Sequence, residues 1–327
     1  MDRCIGCGAI LQTENKNLRG YVKNLESKLC ERCFRIQNYG EYLPIIKEEN
    51  EFTNMLEEIN KTKDLVILVC DLFNFNPDME LISKYINNDV ILVLTKRDIL
   101  PKSLYEEKLL NYLKNTNLNI VDRIVISSMN NYHFDELMEC INDYKKTNNV
   151  YVIGYTNVGK STMINKILYN YAKSNDVVTT SPLPNTTIDN INIKISNDLT
   201  LIDTPGVLDN GSIYYLKTMK ELKNIIPKKQ IKPMSYQINK KQLIKVEDLF
   251  CLEVSNNDIV MYLSNKLDIE RIYKDIDIKD MDKYEIEVEK NHDLVLSGLG
   301  FIKFMKKEKV TIYVIKGLKI FIRPSLI

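Results

Sequence analysis

A chain of 327 residues is long enough for two domains with separate cores, and a hydrophobic content of 44% is ordinary for a packed protein. The 45 basic and 44 acidic residues leave a formal charge of +1, which excludes a uniformly basic surface, so any nucleic-acid-binding surface must be local. No apolar run approaches the roughly 18 residues that a membrane span needs. The N-terminus also lacks a hydrophobic signal core, so we expect no membrane contact and a cytoplasmic location.

Composition and periodicity divide the chain into three predicted parts. Residues 1–45 are rich in Cys, Arg and Tyr, and residues 46–210 alternate strand-like and helix-like stretches. The third part, residues 211–327, begins with a helical pattern and changes from about residue 235 to short runs with a period of two. This order predicts an α/β fold with a mostly parallel sheet and helices on both faces, followed by a mainly β C-terminal domain. Strands are predicted at Leu65–Cys70, Val90–Leu94, Ile124–Ser127, Val150–Ile153, Leu199–Ile202, Asp189–Ile195 (an edge strand), Lys309–Ile315 and Leu318–Ile322, and helices near 78–88, 103–115, 133–145 and 212–226.

A phosphate-binding loop is predicted at residues 154–161, which match the pattern G-x-x-x-x-G-K-[ST]. The strand Val150–Ile153 precedes the loop and a helical pattern, Thr162–Asn170, follows it, as this motif requires. Glycine tolerates the backbone angles that aim N–H groups at phosphate oxygens, lysine reaches the β- and γ-phosphates, and serine binds Mg²⁺. The predicted nucleotide-binding residues here are Gly154, Asn157, Val158, Gly159, Lys160, Ser161 and Thr162.

A second motif, D-T-P-G, covers Asp203 to Gly206 and follows the strand Leu199–Ile202. A carboxylate at the end of this strand can hold Mg²⁺ through water, and the glycine can donate its N–H to the γ-phosphate. Such a tetrapeptide is a common turn by itself. Downstream of a phosphate loop it predicts a segment that senses the γ-phosphate, with Asp203 as a magnesium ligand and Gly206 as the catalytic backbone donor.

A base-recognition motif, T-K-R-D, follows the strand Val90–Leu94 and resembles the [NT]-K-x-D guanine motif of GTPases. The carboxylate of Asp98 only accepts hydrogen bonds, so it matches the N1–H and exocyclic amine of guanine, whereas adenine has no donor at N1. Lys96 is expected over the base plane. The next strand ends at S-S-M, which resembles the S-A-x loop that supports the base. The predicted base-site residues are Thr95, Lys96, Asp98, Ser127, Ser128 and Met129.

The motifs run in a permuted order, because the guanine motif precedes the phosphate loop. Permutation preserves the site when the strands still assemble in one sheet. It also makes the segment around Gly206 lead directly into the C-terminal part, so we expect Val207–Pro227 to transmit the nucleotide state there.

Two C-x-x-C pairs, separated by 22 residues, predict a zinc site in the N-terminal module. In a reducing compartment, four thiolates favour tetrahedral Zn²⁺, and a module of this size needs such a metal because its core is small. A redox role is disfavoured because the chain has two such pairs, and because no thioredoxin-like strand precedes either C-x-x-C pair. The predicted zinc ligands are Cys4, Cys7, Cys30 and Cys33, and nearby Arg19, Arg32, Arg35, Tyr21, Phe34 and Tyr39 either contact RNA or form a solvated surface.

Taken together, these features resemble the YqeH family of circularly permuted GTPases. The matching stretches include Cys30–Arg35, Leu100–Ser103, Tyr151–Ser161, Ser297–Gly300 and the final Ser325–Ile327. The resemblance implies a P-loop GTPase domain (46–210), a treble-clef-like zinc module (1–45) and a β-type C-terminal domain (211–327). It also implies that the chain assists assembly of the small ribosomal subunit, binding that subunit or its rRNA through the zinc module and the C-terminal domain. The oligomeric state is left open.

The resemblance also assigns further cofactor roles. By motif position Thr187 is the switch threonine expected on Mg²⁺ and the γ-phosphate, and relatives with Asn at the place of Asn157 use a bound K⁺, so K⁺ stimulation is expected. Three residues depart from the family pattern: Thr95 for Asn, Ser128 for Ala, and Asn185 for Gly in the switch segment. The effect of Asn185 on hydrolysis is left open.

Hydrolysis of GTP to GDP and phosphate is expected to be slow. Val207 stands where many GTPases carry the glutamine that orients water, so intrinsic turnover should be on the order of 10⁻³ per second or below.

Between Lys217 and Lys245 nine lysines accompany one acid, Glu221. This lysine-rich stretch is either an RNA-binding surface or a solvated face. The alternatives are an ATP-using P-loop enzyme and a GTP-regulated zinc RNA-binding protein that does not act on the ribosome.

Overall fold

The computed structural model describes residues 2–5, 9–14, 20–31, 33–35, 46–47, 49–76, 82, 85–107, 118–172, 191–207, 209–274 and 278–327. The described residues pack into two units. The first unit draws on residues 1–71, 78–97 and 115–208, and the second on residues 72–77, 98–114 and 209–327. Among the described residues, no helix is both long and apolar enough to cross a lipid bilayer.

Among its described residues, the first unit contains a central sheet, three α-helices and one short ladder. In chain order its elements are β1 (Ile46–Lys47), α1 (Glu49–Asn60), β2 (Leu65–Asp71), β3 (Val90–Thr95), β4 (Ile120–Val125), α2 (Phe134–Tyr144), β5 (Asn149–Gly154), α3 (Lys160–Tyr171), β6 (Ile191–Lys194), β7 (Thr200–Asp203) and β8 (Gly206–Val207).

Six strands form the central sheet in the order β4-β3-β2-β5-β7-β6. All neighbours run parallel except β6, which pairs antiparallel with β7 at the edge. The interior strands β2 and β3 are almost wholly buried, because a parallel sheet is covered on both faces and its interior strands have no solvent side. The expected α/β fold with a mostly parallel sheet is confirmed, and so is the edge strand before Thr200.

Some sequence-based boundaries differ from the structure. The strand predicted at Ile124–Ser127 runs instead from Ile120 to Val125, because β4 lies at a sheet edge and its first residues are only partly buried, which hid them from an apolar-run criterion. Helix α1 was not predicted. The helix predicted near 78–88 and the end of that near 103–115 lie mostly outside the described residues.

The second unit is mainly β, as expected. Its elements in chain order are α4 (Ile213–Leu216), α5 (Met219–Ile225), β9 (Met234–Ile238), β10 (Gln242–Val246), β11 (Phe250–Val254), β12 (Asn257–Tyr262), β13 (Ile269–Ile272), β14 (Met281–Val288), β15 (His292–Leu296), β16 (Gly300–Phe304), β17 (Glu308–Ile315) and β18 (Ile320–Pro324).

These strands form two five-stranded antiparallel sheets, β13-β10-β11-β17-β14 and β18-β15-β16-β12-β9. Alternate side chains of both sheets meet in one core, which includes Ile244, Leu252, Ile302 and Ile312. The turn Lys316-Gly317, with Gly317 at φ +82°, leads from one sheet to the other.

The single helix predicted over 212–226 is wrong, because the chain forms two shorter helices. α4 ends at Leu216, and α5 begins after Thr218, which makes a capping box with Glu221. The Thr218 backbone N–H and hydroxyl both donate to the Glu221 carboxylate. This cap begins a second helix inside a stretch whose apolar spacing predicted a single one.

Residues just after β2 pack within the second unit. The Phe75 side chain is 1% exposed, and its carbonyl accepts a 2.6 Å hydrogen bond from the Arg323 guanidinium, which is ion-paired to buried Asp293 at 3.3 Å. The Asn74 side chain accepts from the Gly298 N–H at 3.1 Å. The chain that leaves β2 is therefore fixed at once on the C-terminal sheets, which sequence reasoning did not foresee.

Candidate nucleotide and metal sites

The loop between β5 and α3 has the backbone that a phosphate cradle requires. Gly159 has φ +96° and Asn157 has φ +64°, both in the left-handed region. A Cβ atom on Gly154 would lie 2.6 Å from the Val69 carbonyl oxygen, so only glycine fits at the start of the loop. The loop therefore keeps its N–H groups accessible at the start of a helix, which is the arrangement that binds phosphate.

Lys160 is the buried cation of this loop. It is 5% exposed, and its Nζ lies 3.1 Å from Oδ1 of Asp203, which is 1% exposed. The Lys160 ammonium also donates to the Thr204 carbonyl oxygen. Thr204 is itself tied to β5, since its N–H and hydroxyl donate to the Val152 carbonyl at 3.2 and 2.9 Å. In the sequence, Asp203 of the D-T-P-G segment lies 43 residues after Lys160 of the phosphate loop. The two segments nevertheless form one site.

The switch glycine lies against the same loop. A Cβ on Gly206 would come within 3.2 Å of the Thr156 side chain, so a larger residue would press on the loop. Ser161 and Val158 are half-buried, and Thr162 is exposed on the first turn of α3. Thr187 and Asn185 lie outside the described residues, so the magnesium role of Thr187 stays a prediction.

Strand β1 pairs with the switch segment, which sequence reasoning missed. Ile46 lies opposite Gly206 and Lys47 opposite Val207 in a parallel ladder. A two-residue strand has no pattern that could be recognised in advance. Its consequence is that the backbone of the predicted γ-phosphate sensor is held by the chain that follows the N-terminal module.

The guanine motif is joined to the phosphate loop through Thr95. The Thr95 hydroxyl donates to the Val158 carbonyl and lies 3.3 Å from the Cys70 carbonyl oxygen. The Arg97 N–H donates to the Ile126 carbonyl at 3.3 Å, which ties T-K-R-D to the strand end before Ser127. The permuted motifs are thus assembled at the carboxyl edge of one sheet, where ligands bind in such folds.

Lys96 has a partner that the sequence analysis did not name. Its Nζ lies 2.6 Å from Oδ2 of Asp71, the last residue of β2, and Asp71 is directly opposite Thr95 in the ladder. Lys96 itself has φ +63°, an unfavourable angle for lysine that its neighbours must maintain. An acid at the carboxyl end of a central strand was a signal that could have identified Asp71, because neighbouring parallel strands end at the same edge.

The remaining base-site residues vary in exposure. Asp98, next after Arg97, is half-buried in a 3-10 turn. Ser127 is 1% exposed, and its Oγ accepts the Asn130 N–H at 3.3 Å, whereas Ser128 is half-buried and Met129 is 75% exposed. Ser127 therefore holds the loop together, and Met129 is available for contact with a ligand.

We predict that Asp71→Asn weakens nucleotide binding by about three- to tenfold. The amide keeps the shape but loses the charge-assisted bond to Lys96, which is worth roughly 1 kcal/mol more than a neutral one. Dissociation of a fluorescent GDP analogue, measured by stopped flow, checks this result. Asp89→Asn is the matched control, because Asp89 pairs with Lys146 at 2.6 Å on the surface and should leave the rate unchanged. Equal dissociation rates for both variants and the parent chain would contradict the role of Asp71.

The N-terminal module brings three predicted metal ligands together. The sulfurs of Cys4, Cys30 and Cys33 all lie within 4.8 Å of one another, and all three residues are buried. The Cys30 N–H points at the Cys4 sulfur at 3.2 Å, which is the bond expected of a metal-bound thiolate. The donor set fits Zn²⁺, which prefers thiolates in a tetrahedron. Cys7, predicted as the fourth ligand, lies outside the described residues, as do Arg19, Arg32 and Tyr39.

Of the other cysteines, Cys251 is buried, and Cys70 and Cys140 are partly buried. Loss of hydration, helped by Asp71, raises the pKa of Cys70 to about 12. Loss of hydration and a hydrogen bond to Asp122 raise the pKa of Cys140 to about 12. Burial also raises the pKa of Cys251. None of these sulfurs is poised as a nucleophile.

Known proteins resemble this chain along its length. A protein from Bacillus subtilis called YqeH is 34% identical over 99% of this chain and 99% of its own. The chain is a member of the YqeH family. Residues 58–212 match the RsgA GTPase model, and residues 149–296 match a model described as 50S ribosome-binding GTPase.

More distant relatives of this YqeH-family chain include NO-associated protein 1 of Arabidopsis thaliana, 25% identical over 72% of this chain and 49% of its own. GTPase Der of Karelsulcia muelleri is 27% identical over 61% of this chain and 47% of its own. Membership in the family, together with both GTPase models, identifies the chain as a GTPase. GTPases of this kind use GTP, GDP and Mg²⁺, and the arrangement of Lys160, Ser161 and Asp203 fits them.

Proposed function

We propose that the chain is a slow GTP-hydrolysing switch that acts in the cytoplasm in assembly of the small ribosomal subunit. The observation that carries the proposal is the bond between Thr95 and the phosphate loop at Val158, which joins a guanine motif to a phosphate site encoded after it. Both matching models describe GTPases, and one description names ribosome binding. The ribosomal role rests on these descriptions and on the YqeH resemblance.

In the proposed hydrolysis step, residues of this chain bind and orient GTP rather than form bonds to it. Lys160 neutralises charge on the β- and γ-phosphates, and the Gly206 N–H binds the γ-phosphate. Ser161, Asp203 and Thr187 would hold Mg²⁺, which would supply charge neutralisation on the phosphates. Val207 offers the attacking water no hydrogen bond, so a partner, or a K⁺ ion that Asn157 would help to hold, would have to complete the site. Equal rates in K⁺ and Na⁺ would remove the K⁺ part of the proposal.

The N-terminal module is proposed to hold one structural Zn²⁺ through Cys4, Cys7, Cys30 and Cys33. We expect one zinc per chain, and we expect Cys30→Ser to lose it, because structural zinc contributes roughly 10–16 kcal/mol to folding of such modules. Zinc released by a mercurial reagent and measured with a colour indicator checks this stoichiometry. Cys251→Ser is the matched control, since Cys251 is a buried cysteine of the β sheets and outside the cluster. Full zinc content in both variants would contradict the site.

The lysine-rich stretch is a smaller basic surface than its composition suggests. Lys217 pairs with Glu221 at 3.2 Å and Lys241 with Glu253 at 3.0 Å, and Lys245 lies 4.0 Å from Asp248. The lysines that remain exposed and form no ion pair within the described ranges are Lys220, Lys223, Lys228, Lys229, Lys232 and Lys240. We propose that these six provide the phosphate contacts of the C-terminal domain.

Co-sedimentation with purified ribosomal subunits tests the proposed function. The full chain is mixed separately with small and large subunits in GTP-analogue, GDP and nucleotide-free states. We expect binding to the small subunit that is strongest with the GTP analogue. Binding to the large subunit alone would assign the chain to the partner named in the second family model. Binding to neither subunit in any state would refute the ribosomal role.

A further inference from the structure

A planar cation lies between two aromatic rings at the surface of the second unit. The guanidinium carbon of Arg271 lies 5.8 Å from the ring centre of Tyr236 and 5.7 Å from that of Tyr273. Its Nε donates at 2.7 Å to the side-chain oxygen of Gln242, which is 4% exposed. An exposed arginine is ordinarily mobile, but this one is held by a buried acceptor and two rings. We call Tyr236, Arg271 and Tyr273 the tyrosine–arginine stack.

The stack bridges the open edge of the β sandwich. Tyr236 lies on β9 and Arg271 on β13, and these are the edge strands of the two different sheets. The Tyr236 ring packs partly on the core, so the inner end of the stack is fixed. Tyr273 is 68% exposed, so the outer end presents an aromatic ring to solvent.

Three cations at the stack form no ion pair with a described residue. Arg271 forms no ion pair with any described residue, although it is exposed. Lys240 lies in the turn that leads to Gln242, and Lys274 directly follows Tyr273. Both lysines are exposed, and neither forms an ion pair with a described residue. The Gln242 side chain and the two rings hold the guanidinium through Nε and its faces, which leaves its outer N–H groups available for a ligand.

The opposite edge of the same sheet differs in charge. On β14, β17 and the turn before it, Lys283, Lys307 and Lys309 each pair with a glutamate, Glu285, Glu287 or Glu289, at 2.6–3.3 Å. That edge carries compensated charge and no arginine–tyrosine stack among the described residues. At the β9–β13 edge, by contrast, Lys240, Arg271 and Lys274 form no ion pair with a described residue.

We propose that the tyrosine–arginine stack binds single-stranded RNA, with one unpaired base stacked on the exposed face of Tyr273. Base–aromatic stacking needs an open π-face, which a base in a duplex does not offer, and flanking cations hold the phosphates. An acidic peptide would satisfy the lysines but would leave the exposed ring without its partner. The proposal deepens the proposed function, on which it rests for the class of nucleic acid.

The experiment uses the full chain and fluorescent oligouridylate and oligoadenylate of about ten nucleotides, a length that one such β surface can accommodate. Tyr273→Ala removes the outer ring, and Arg271→Lys keeps the charge but removes the plane that stacks. Tyr284→Ala is the matched control, because Tyr284 is a partly exposed tyrosine on β14, at the other edge of the same sheet. The chain has no Trp, so Tyr273→Trp adds a single reporter at the stack.

We expect Tyr273→Ala and Arg271→Lys each to weaken oligonucleotide binding about tenfold, in keeping with the loss of one stacked base. The slope of log affinity against log salt should stay unchanged in both variants, because no phosphate contact is removed. Lys228→Gln with Lys229→Gln should instead reduce that slope by about 1.4, at about 0.7 for each phosphate contact to a single strand. The reporter tryptophan should be quenched when the oligonucleotide binds.

Failure of this proposal can be told from failure of the proposed function. Oligonucleotide affinities of both stack variants within twofold of the parent chain, or no binding by the parent chain, would overturn the proposal. Small-subunit binding could persist in that case. Stack-dependent oligonucleotide binding without binding to either subunit would remove the ribosomal role and keep the stack. Displacement of the oligonucleotide by an equal charge of polyglutamate, without stack dependence, would assign the surface to acidic protein segments.

Discussion

Lys160→Ala is expected to reduce GTP hydrolysis by about 10²–10³-fold, because it removes the cation that neutralises the transferred phosphoryl group. Single-turnover hydrolysis with purified chain in excess over labelled GTP measures the effect. Lys166→Ala is the matched control on the same helix, since Lys166 lies over the Tyr169 ring on the surface at 5.3 Å and should leave hydrolysis unchanged.

The same substitution is expected to destabilise the fold. Lys160 is 5% exposed and Asp203 is 1% exposed, so removing the lysine leaves a buried carboxylate without its charge partner, which costs about 3–5 kcal/mol. The double variant Lys160→Ala with Asp203→Asn should recover much of the melting temperature but no activity. Recovery of hydrolysis in the double variant would contradict the assignment of Lys160 to the phosphate site.

The sequence was most informative where local chemistry and function coincide. The residues of the phosphate loop are dictated by backbone geometry, since Gly154 and Gly159 occupy positions that a side chain would block or strain. The parallel sheet followed from apolar runs, because buried central strands have no polar face. The motif order alone indicated the permutation, and the Thr95 bond to Val158 shows that the two motifs meet in the fold.

The sequence was least informative where distant segments meet. In the sequence Asp71 is only the polar residue at the end of a strand, and its contact with Lys96 exists only in the folded chain. The partners of Arg271 come from three separate strands or their ends. Strand β1 is too short for any periodicity. The predicted helix over 212–226 failed because Thr218 supplies a local cap that outweighs a continuous helical pattern.

Asp98→Asn is expected to exchange guanine for xanthine. The carboxylate is predicted to accept two hydrogen bonds from guanine, each worth about 1.5–3 kcal/mol because the acceptor is charged. In the variant the amide oxygen can accept only one of these bonds, and the amide NH2 faces the exocyclic amine. The lost bond and the two unpaired donors together should weaken GDP binding by about 10²–10⁴-fold. Xanthine carries an oxygen where guanine carries the exocyclic amine, so the amide of the variant can donate to that oxygen and accept from N1–H. Asp258→Asn, on strand β12, is a control that should leave both affinities unchanged.

Calorimetric titration of the parent chain and the Asp98→Asn variant with GDP and xanthosine diphosphate therefore addresses the permuted site directly. The parent chain should bind GDP and not the xanthine nucleotide, and the variant should reverse that preference. A variant that still prefers GDP, or a parent chain that binds ADP as tightly as GDP, would mean that the residue ahead of the phosphate loop does not select the base.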